Sequence, residues 1–281
     1  MVPRLRRIGN LLGPLDPPRP SARNVLMTDR ARQILVLAFA IAQFLAPFFH
    51  AATGIGGPIG QRANPGGFVP PEQPAGYAFS IWFPIFVLAL VYAWHQALPR
   101  SAAHPVYRRI GPATAAMFAA GTVWMLWTQI MGSSWALLPM IYTMYGATML
   151  AAARMGTALD GLPARILPPL LGLQGGWLTA AIVLNTTSVV RGSAAEPFGL
   201  DPSLYALATL VPATILALAT IQAGRANGWF VGAFVWALVA VGVTNLAIAP
   251  NLPLAAACGM ALLAVGFSAW KLKRTLSLVQ K

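Results

Sequence analysis

The sequence predicts an all-α fold, a polytopic membrane helical bundle of about eight transmembrane helices, and three observations carry that prediction. Hydrophobic residues make up 57% of the 281 positions and charged residues only 9%, against roughly a quarter charged in an ordinary soluble domain. Eight apolar runs, near 33–54, 77–98, 110–131, 134–153, 166–189, 203–223, 228–248 and 253–270, are of about the 20-residue length that a helix needs to cross a bilayer. Charged residues lie between these runs and never inside them.

The formal charge of +13 raises the question of nucleic acid, and the placement of the charges answers it. Seven arginines precede the first run, and Arg100, Arg108, Arg109, Arg154, Arg165, Arg225, Lys271, Lys273, Arg274 and Lys281 fall in every second connection or in the tail, so that 17 of the 19 basic residues share one side. Only Arg62 and Arg191 lie on the other. This asymmetry predicts cytoplasmic N and C termini; it reports topology and contact with anionic lipid, not nucleic acid.

Along the chain, residues 1–32 are rich in Arg and Pro and too polar to span, which predicts a flexible basic cytoplasmic arm. The apolar run that follows starts near 33 and is as long as a true span, so no cleavable signal peptide is expected. An outer lid loop is expected at 55–75, where Gly and Pro exclude regular structure while Phe68 and Pro70-Pro71 suggest a folded-back cover. In the second run Phe79, Trp82, Phe83 and Phe86 stand at i, i+3, i+4 and i+7, which predicts a single helical face. An interfacial aromatic belt accounts for Tyr77 and Trp82 but poorly for Phe86, nearly three turns down.

The third run brings Trp124, Trp127 and Gln129 to the same outer half, and the fourth adds Trp135, Tyr142 and Tyr145. In the fifth, Gln174, Trp177, Ala181 and Asn185 are spaced to share a face. Uncharged polar groups in a bilayer usually face protein, so Gln174 and Asn185 fit either interhelical hydrogen bonding or ligand contact. His50, near the outer end of the first run, could ligate or hydrogen-bond a tetrapyrrole, or stand as a wet histidine at headgroup level. Residues 203–270 form three further helices rich in Ala, Leu, Val and Gly, for which close helix packing is the expected role. A basic cytoplasmic tail, 271–281, follows.

Several functions are excluded by missing parts. A retinal Schiff base needs a lysine deep in a span, and every lysine lies at or beyond Lys271. His50, His95 and His104 offer no facing pair for a haem iron. No intramembrane carboxylate of the kind proton-coupled transporters keep is expected. No spacing supports a metal cluster or a catalytic triad, so no catalytic residues and no metal are expected. Cys258 lies alone inside the eighth run and excludes an intrachain disulfide.

Residues 33–190 resemble the translocator protein family, also called the tryptophan-rich sensory proteins (TspO/MBR). The resemblance rests on "FLAPFFHAATGIG", on a Pro-rich loop entering "PAGYAFSIWFPIF", on "TVWMLWTQIMG", and on "LPPLLGLQGGWLTAAIVLN", with Trp177 and Asn185 eight residues apart. It implies a five-helix bundle that binds a flat hydrophobic ligand, a porphyrin or haem held non-covalently or a sterol-like molecule, in a pocket falling on Tyr77, Phe79, Trp82, Trp127, Trp177 and Asn185. It also implies a non-enzymatic sensory or binding role, a bacterial inner-membrane location and a homodimer. A transporter or permease for a lipophilic metabolite is the alternative, and a tetrapyrrole- or isoprenoid-modifying enzyme ranks behind both. The family's loop of tryptophans around a Lys-Pro step is replaced here by "NPGGFVPPEQPAG", and its helix-three asparagine falls on Trp124. Porphyrin-degrading chemistry ascribed to those loop tryptophans is therefore not carried over.

Overall fold

The computed structural model describes residues 28–59, 69–193, 199 and 201–279, among which there are helices and connections but no strand. The expected arm up to residue 27, the middle of the lid at 60–68 with Arg62 and Phe68, and Lys281 lie outside the described residues. The helices are α1 (Asp29–Leu45), the short α2 (Phe49–Thr53), α3 (Trp82–Ala97), α4 (Pro105–Ile130), α5 (Leu137–Met155), α6 (Gly161–Ser193), α7 (Pro202–Gln222), α8 (Gly228–Val243) and α9 (Leu252–Val279). Among the described residues seven helical stretches are long and apolar enough to cross a membrane, and the protein is an integral membrane protein. The fourth expected span, α5, is helical but not among those seven; Tyr142, Thr143, Tyr145, Thr148 and Arg154 dilute its hydropathy.

Helix boundaries follow local chemistry. Thr28 caps α1 by accepting from Ala31 N, so the helix starts four residues before the apolar run and takes Asp29 and Arg32 into its first turn. Pro47 cannot extend the hydrogen-bond ladder, and α1 gives way to a 3₁₀ turn at Ala46–Phe48. At Gly54, φ is +71° and the chain leaves α2 in a left-handed cap. Gly56 then runs against the end of α4 with φ +80°, where a Cβ would stand 2.1 Å from Gln129 O.

Packing neighbours define two rings that share α6. In the first, α3, α1, α4, α5 and α6 close on one another; in the second, α6, α8, α9 and α7 do the same. The seam between α6 and α8 is close because Gly176 has no side chain: a Cβ there would meet Phe230 O at 2.1 Å. Most of the described basic residues collect at one end of the bundle, hereafter the basic end, and the 70–81 segment lies at the far end.

The basic end is cross-linked. Gln33 Nε2 donates to the carbonyls of Gln96 and Leu98 while Gln96 Nε2 donates back to Gln33 O. Arg32 Nη2 donates to Ala102 O at 2.7 Å, with its stem in the space left by Gly111.

The aromatic stripe predicted for the second span forms in part, and Phe83 leaves it. Residues Gly76–Ile81 are 3₁₀, and the α-helix begins only at Trp82. At about 120° per residue the 3₁₀ turn sets Phe79 in line with Trp82, three positions on, and about 100° away from Phe83. Phe83 points outward at 69% exposure, Phe86 is buried with Trp82 stacked on it at 5.5 Å and Phe44 edge-on at 6.1 Å, and Phe79 turns to Trp177 at 5.6 Å.

Candidate functional site

Phe79, Trp82, Trp177 and Asn185 border one cavity of about 80 Å³ in the far half of the bundle. Ile141 and Met144 of α5 and Trp124 of α4 complete the wall on the side of the first ring. The opposite wall comes from the second: Ala206, Thr209 and Leu210 of α7, Phe234, Ala237 and Leu238 of α8, and Leu254 of α9. A second cavity of about 120 Å³ lies behind a partition shared by Phe79, Trp124, Leu184 and Asn185, and reaches Ile59, Pro70 and Gln73 of the loop. The three C-terminal helices, for which packing was the expected role, thus form one wall of the first cavity.

The same helices hold the loop that roofs it. Asn245, in a π-helical turn that ends α8 (Thr244–Ile248), donates from Nδ2 to Pro71 O at 2.7 Å. Ala75 N donates to Ala240 O at 3.1 Å, and Trp236 Nε1 donates to Ala78 O at 2.9 Å. Between these anchors Glu72 enters the protein with its side chain 2% exposed, and Oε1 accepts from Arg191 Nη2 at 2.5 Å. Arg191 also lies over the Tyr205 ring, 4.3 Å from its centroid, while Tyr205 donates its hydroxyl to Thr187 O. Among the described residues no span contributes a carboxylate to the cavity, and the acid there comes from the loop.

The other expected site residues are placed elsewhere. Tyr77 packs edge-on against Trp236 at 5.3 Å, on the outside of α8. Trp127 donates from Nε1 to Ser134 Oγ at 2.8 Å, closing the α4–α5 turn. Gln174 is fully buried, borders neither cavity, and neither amide atom has a partner. His50 fastens the start of the loop, its backbone N–H donating to Gln129 Oε1 at 3.0 Å and its Nδ1 lying 3.1 Å from Ile55 O.

Asn185 joins helices as well as lining space: Oδ1 accepts from Trp124 Nε1 at 3.1 Å and Nδ2 donates to Ala181 O at 2.8 Å. Trp124, absent from the expected site although expected in the same outer half, borders both cavities. Glu72 was not legible in the sequence, since nothing in a Pro-rich loop signals that an acid folds inward. A larger cleft of about 500 Å³ opens at the basic end beside Met149, Gly172, Arg225 and Asn227, but it gathers none of these aromatic residues. Among the described residues no cluster of His, Cys, Asp or Glu could hold a metal ion.

Two packed helical rings with an aromatic-lined cavity at their junction, roofed by a loop, define a polytopic membrane helical bundle. Residues 67–269 match the model of the TSPO-like protein family, and the chain belongs to that family. The matched stretch takes in α7 to α9 as well as α3 to α6, and begins after α1. No curated protein and no solved structure matches the chain. Membership points to a membrane sensory or ligand-binding protein.

Proposed function

We propose that this protein binds a flat hydrophobic ligand between its two helical rings, in a sensory or carrier role, with a porphyrin or haem as the ligand drawn from the resemblance and a sterol-like molecule as the second class. The observation that carries the reading is the convergence of Phe79, Trp82, Trp124 and Trp177 on one cavity. Aromatic faces favour a planar partner by about 0.5–1.5 kcal/mol per contact beyond burial. The two cavities together stay below the roughly 300 Å³ at which pockets for drug-sized ligands begin. A macrocycle therefore enters only if the Phe79–Trp124–Asn185 partition parts, and a smaller planar molecule fits with less movement. No catalytic step is assigned to the site.

Titration with protoporphyrin, haem and a sterol, read by saturable tryptophan quenching, tests the reading. Trp177→Ala and Trp82→Ala should weaken binding by up to about tenfold, whereas Trp229→Ala and Trp270→Ala, on the exposed outer surfaces of α8 and α9, should not. Equal effects at all four positions would overturn the site. The contribution of α7 to α9 to the cavity favours transport as the second reading, for which ligand flux into proteoliposomes is the measurement.

The proposed location is the bacterial inner membrane, with the basic end cytoplasmic and the cavity in the outer half. In a Cys258→Ala background, a cysteine at Gly192, exposed at the far end, should react with an impermeant maleimide from outside, and one at Ala158, exposed at the basic end, should not. Reversed labelling would invert the orientation.

A further inference from the structure

We propose that Glu72 sets the polar end of the ligand, its free oxygen accepting a hydrogen bond from a neutral N–H or O–H donor on an otherwise apolar molecule. The inference rests on the cavity assigned above and adds the chemistry of its one charged wall. Glu72 lines the cavity, and its Oε2 is buried with no hydrogen-bond partner. A buried acceptor left bare is costly, by more when it is charged, so such an atom bordering an open space marks where a donor belongs.

No protein donor bonds that oxygen, and Nε of Arg191, on the guanidinium that holds Oε1, is likewise buried without a partner. Asn185 has its Nδ2 committed to Ala181 O and its Oδ1 to Trp124, and Thr209 donates its hydroxyl to Tyr205 O at 3.3 Å. Nor is Glu72 loose, since Pro71 O and Ala75 N on either side of it are held by Asn245 and Ala240.

Charge selects among donors. Glu72 and Arg191 form a pair with no net charge. A neutral donor completes the carboxylate and leaves the site neutral. An ammonium would leave one uncompensated positive charge in an apolar cavity, and a carboxylate on the ligand would face Glu72 itself; both are unfavourable where water is excluded. The cavity size and the edge-on contact of Phe79 with Trp177 suit a small ring bearing the donor on its rim.

Indole has one N–H donor and no acceptor. Equilibrium dialysis of radiolabelled indole, 3-methylindole and 1-methylindole against the full-length protein in detergent, with protein-free micelles as blank, tests the proposal. The two methylindoles match in size, and only the 1-methyl isomer lacks the donor. Indole and 3-methylindole should bind at least about tenfold more tightly than 1-methylindole, and Glu72→Gln should abolish that preference. Because the comparison among probes is made on the unaltered protein, it stands even if the variant fails to fold. Equal binding of all three, weakened in each case by Trp177→Ala, would overturn the donor proposal and leave the cavity reading intact; it is also the result expected if Arg191 turned side-on and filled both carboxylate oxygens. Binding that ignores Trp177→Ala, or no binding above micelles, would overturn the cavity reading and the proposal with it.

Discussion

The two acid–arginine sites stand at opposite ends of the molecule and differ in what they leave unfilled. At the basic end Asp29 Oδ1 accepts from Arg32 Nη1 and from Arg108 Nε, each at 2.9 Å, and Oδ2 accepts from the same Arg108 fork. Its side chain remains 33% exposed. At the far end Glu72 is 2% exposed, accepts one bond from Arg191 and keeps Oε2 bare. A saturated, wet carboxylate has its hydrogen-bonding capacity used up in tying α1 to α4. A dry, half-filled one retains capacity at a cost to stability, and it borders a cavity. Burial and the unfilled oxygen, not the residue types, separate a staple from a recognition group.

The largest effect should come from breaking the dry pair. Arg191→Ala strands Glu72 as an uncompensated buried charge and should destabilise the protein by about 3–5 kcal/mol in thermal or denaturant unfolding. Replacing both partners, Glu72→Leu with Arg191→Leu, should recover most of that loss, because neither charge then has to be desolvated. A single-variant loss no larger than about 1 kcal/mol, the range of exposed pairs, would mean that the two ends do not differ in kind.

What the sequence made legible follows the same division between local and long-range causes. Helices at all eight expected places were readable from apolar length, because a lipid-exposed backbone must satisfy its own hydrogen bonds. Of the fifth span's expected face, Trp177, Ala181 and Asn185 border the cavity, while Gln174 lies buried away from it. The second span's face was readable only in part: the 3₁₀ stretch at Gly76–Ile81 keeps Phe79 in line with Trp82 on the cavity, whereas Phe83 turns outward. Contacts across long separations were least readable. The pairing of Asn245 with Pro71, 174 positions apart, and of Arg191 with Glu72, 119 apart, depends on how the rings dock, which no local pattern encodes. The role of α7 to α9 in walling the cavity was hidden for the same reason, as Ala206, Ala237 and Leu238 are ordinary packing residues wherever they face.

Smaller effects at the basic end sharpen the contrast from the other side. Asp29→Ala removes the acid partner of Arg32, whose side chain is 2% exposed and would retain only its bond to Ala102 O. That variant should lower the unfolding temperature, by less than Arg191→Ala, because Arg32 lies in the first turn of α1 and keeps one carbonyl acceptor. Arg108→Ala removes a partner that is 54% exposed, and its unfolding temperature should match that of the unaltered protein. Salt separates the two: near 1 M the screening length falls to about 3 Å, which should erase any residual Arg108 effect while leaving the Asp29 deficit, since Arg32 is shielded from the ions. Burial of the stranded charge thus separates Arg191→Ala and Asp29→Ala, which strand Glu72 and Arg32 at 2% exposure, from Arg108→Ala, which strands Asp29 at 33%, while the carbonyl left to Arg32 ranks the first two; an Arg108 effect equal to that of Arg191 would show that burial is not what distinguishes the two ends.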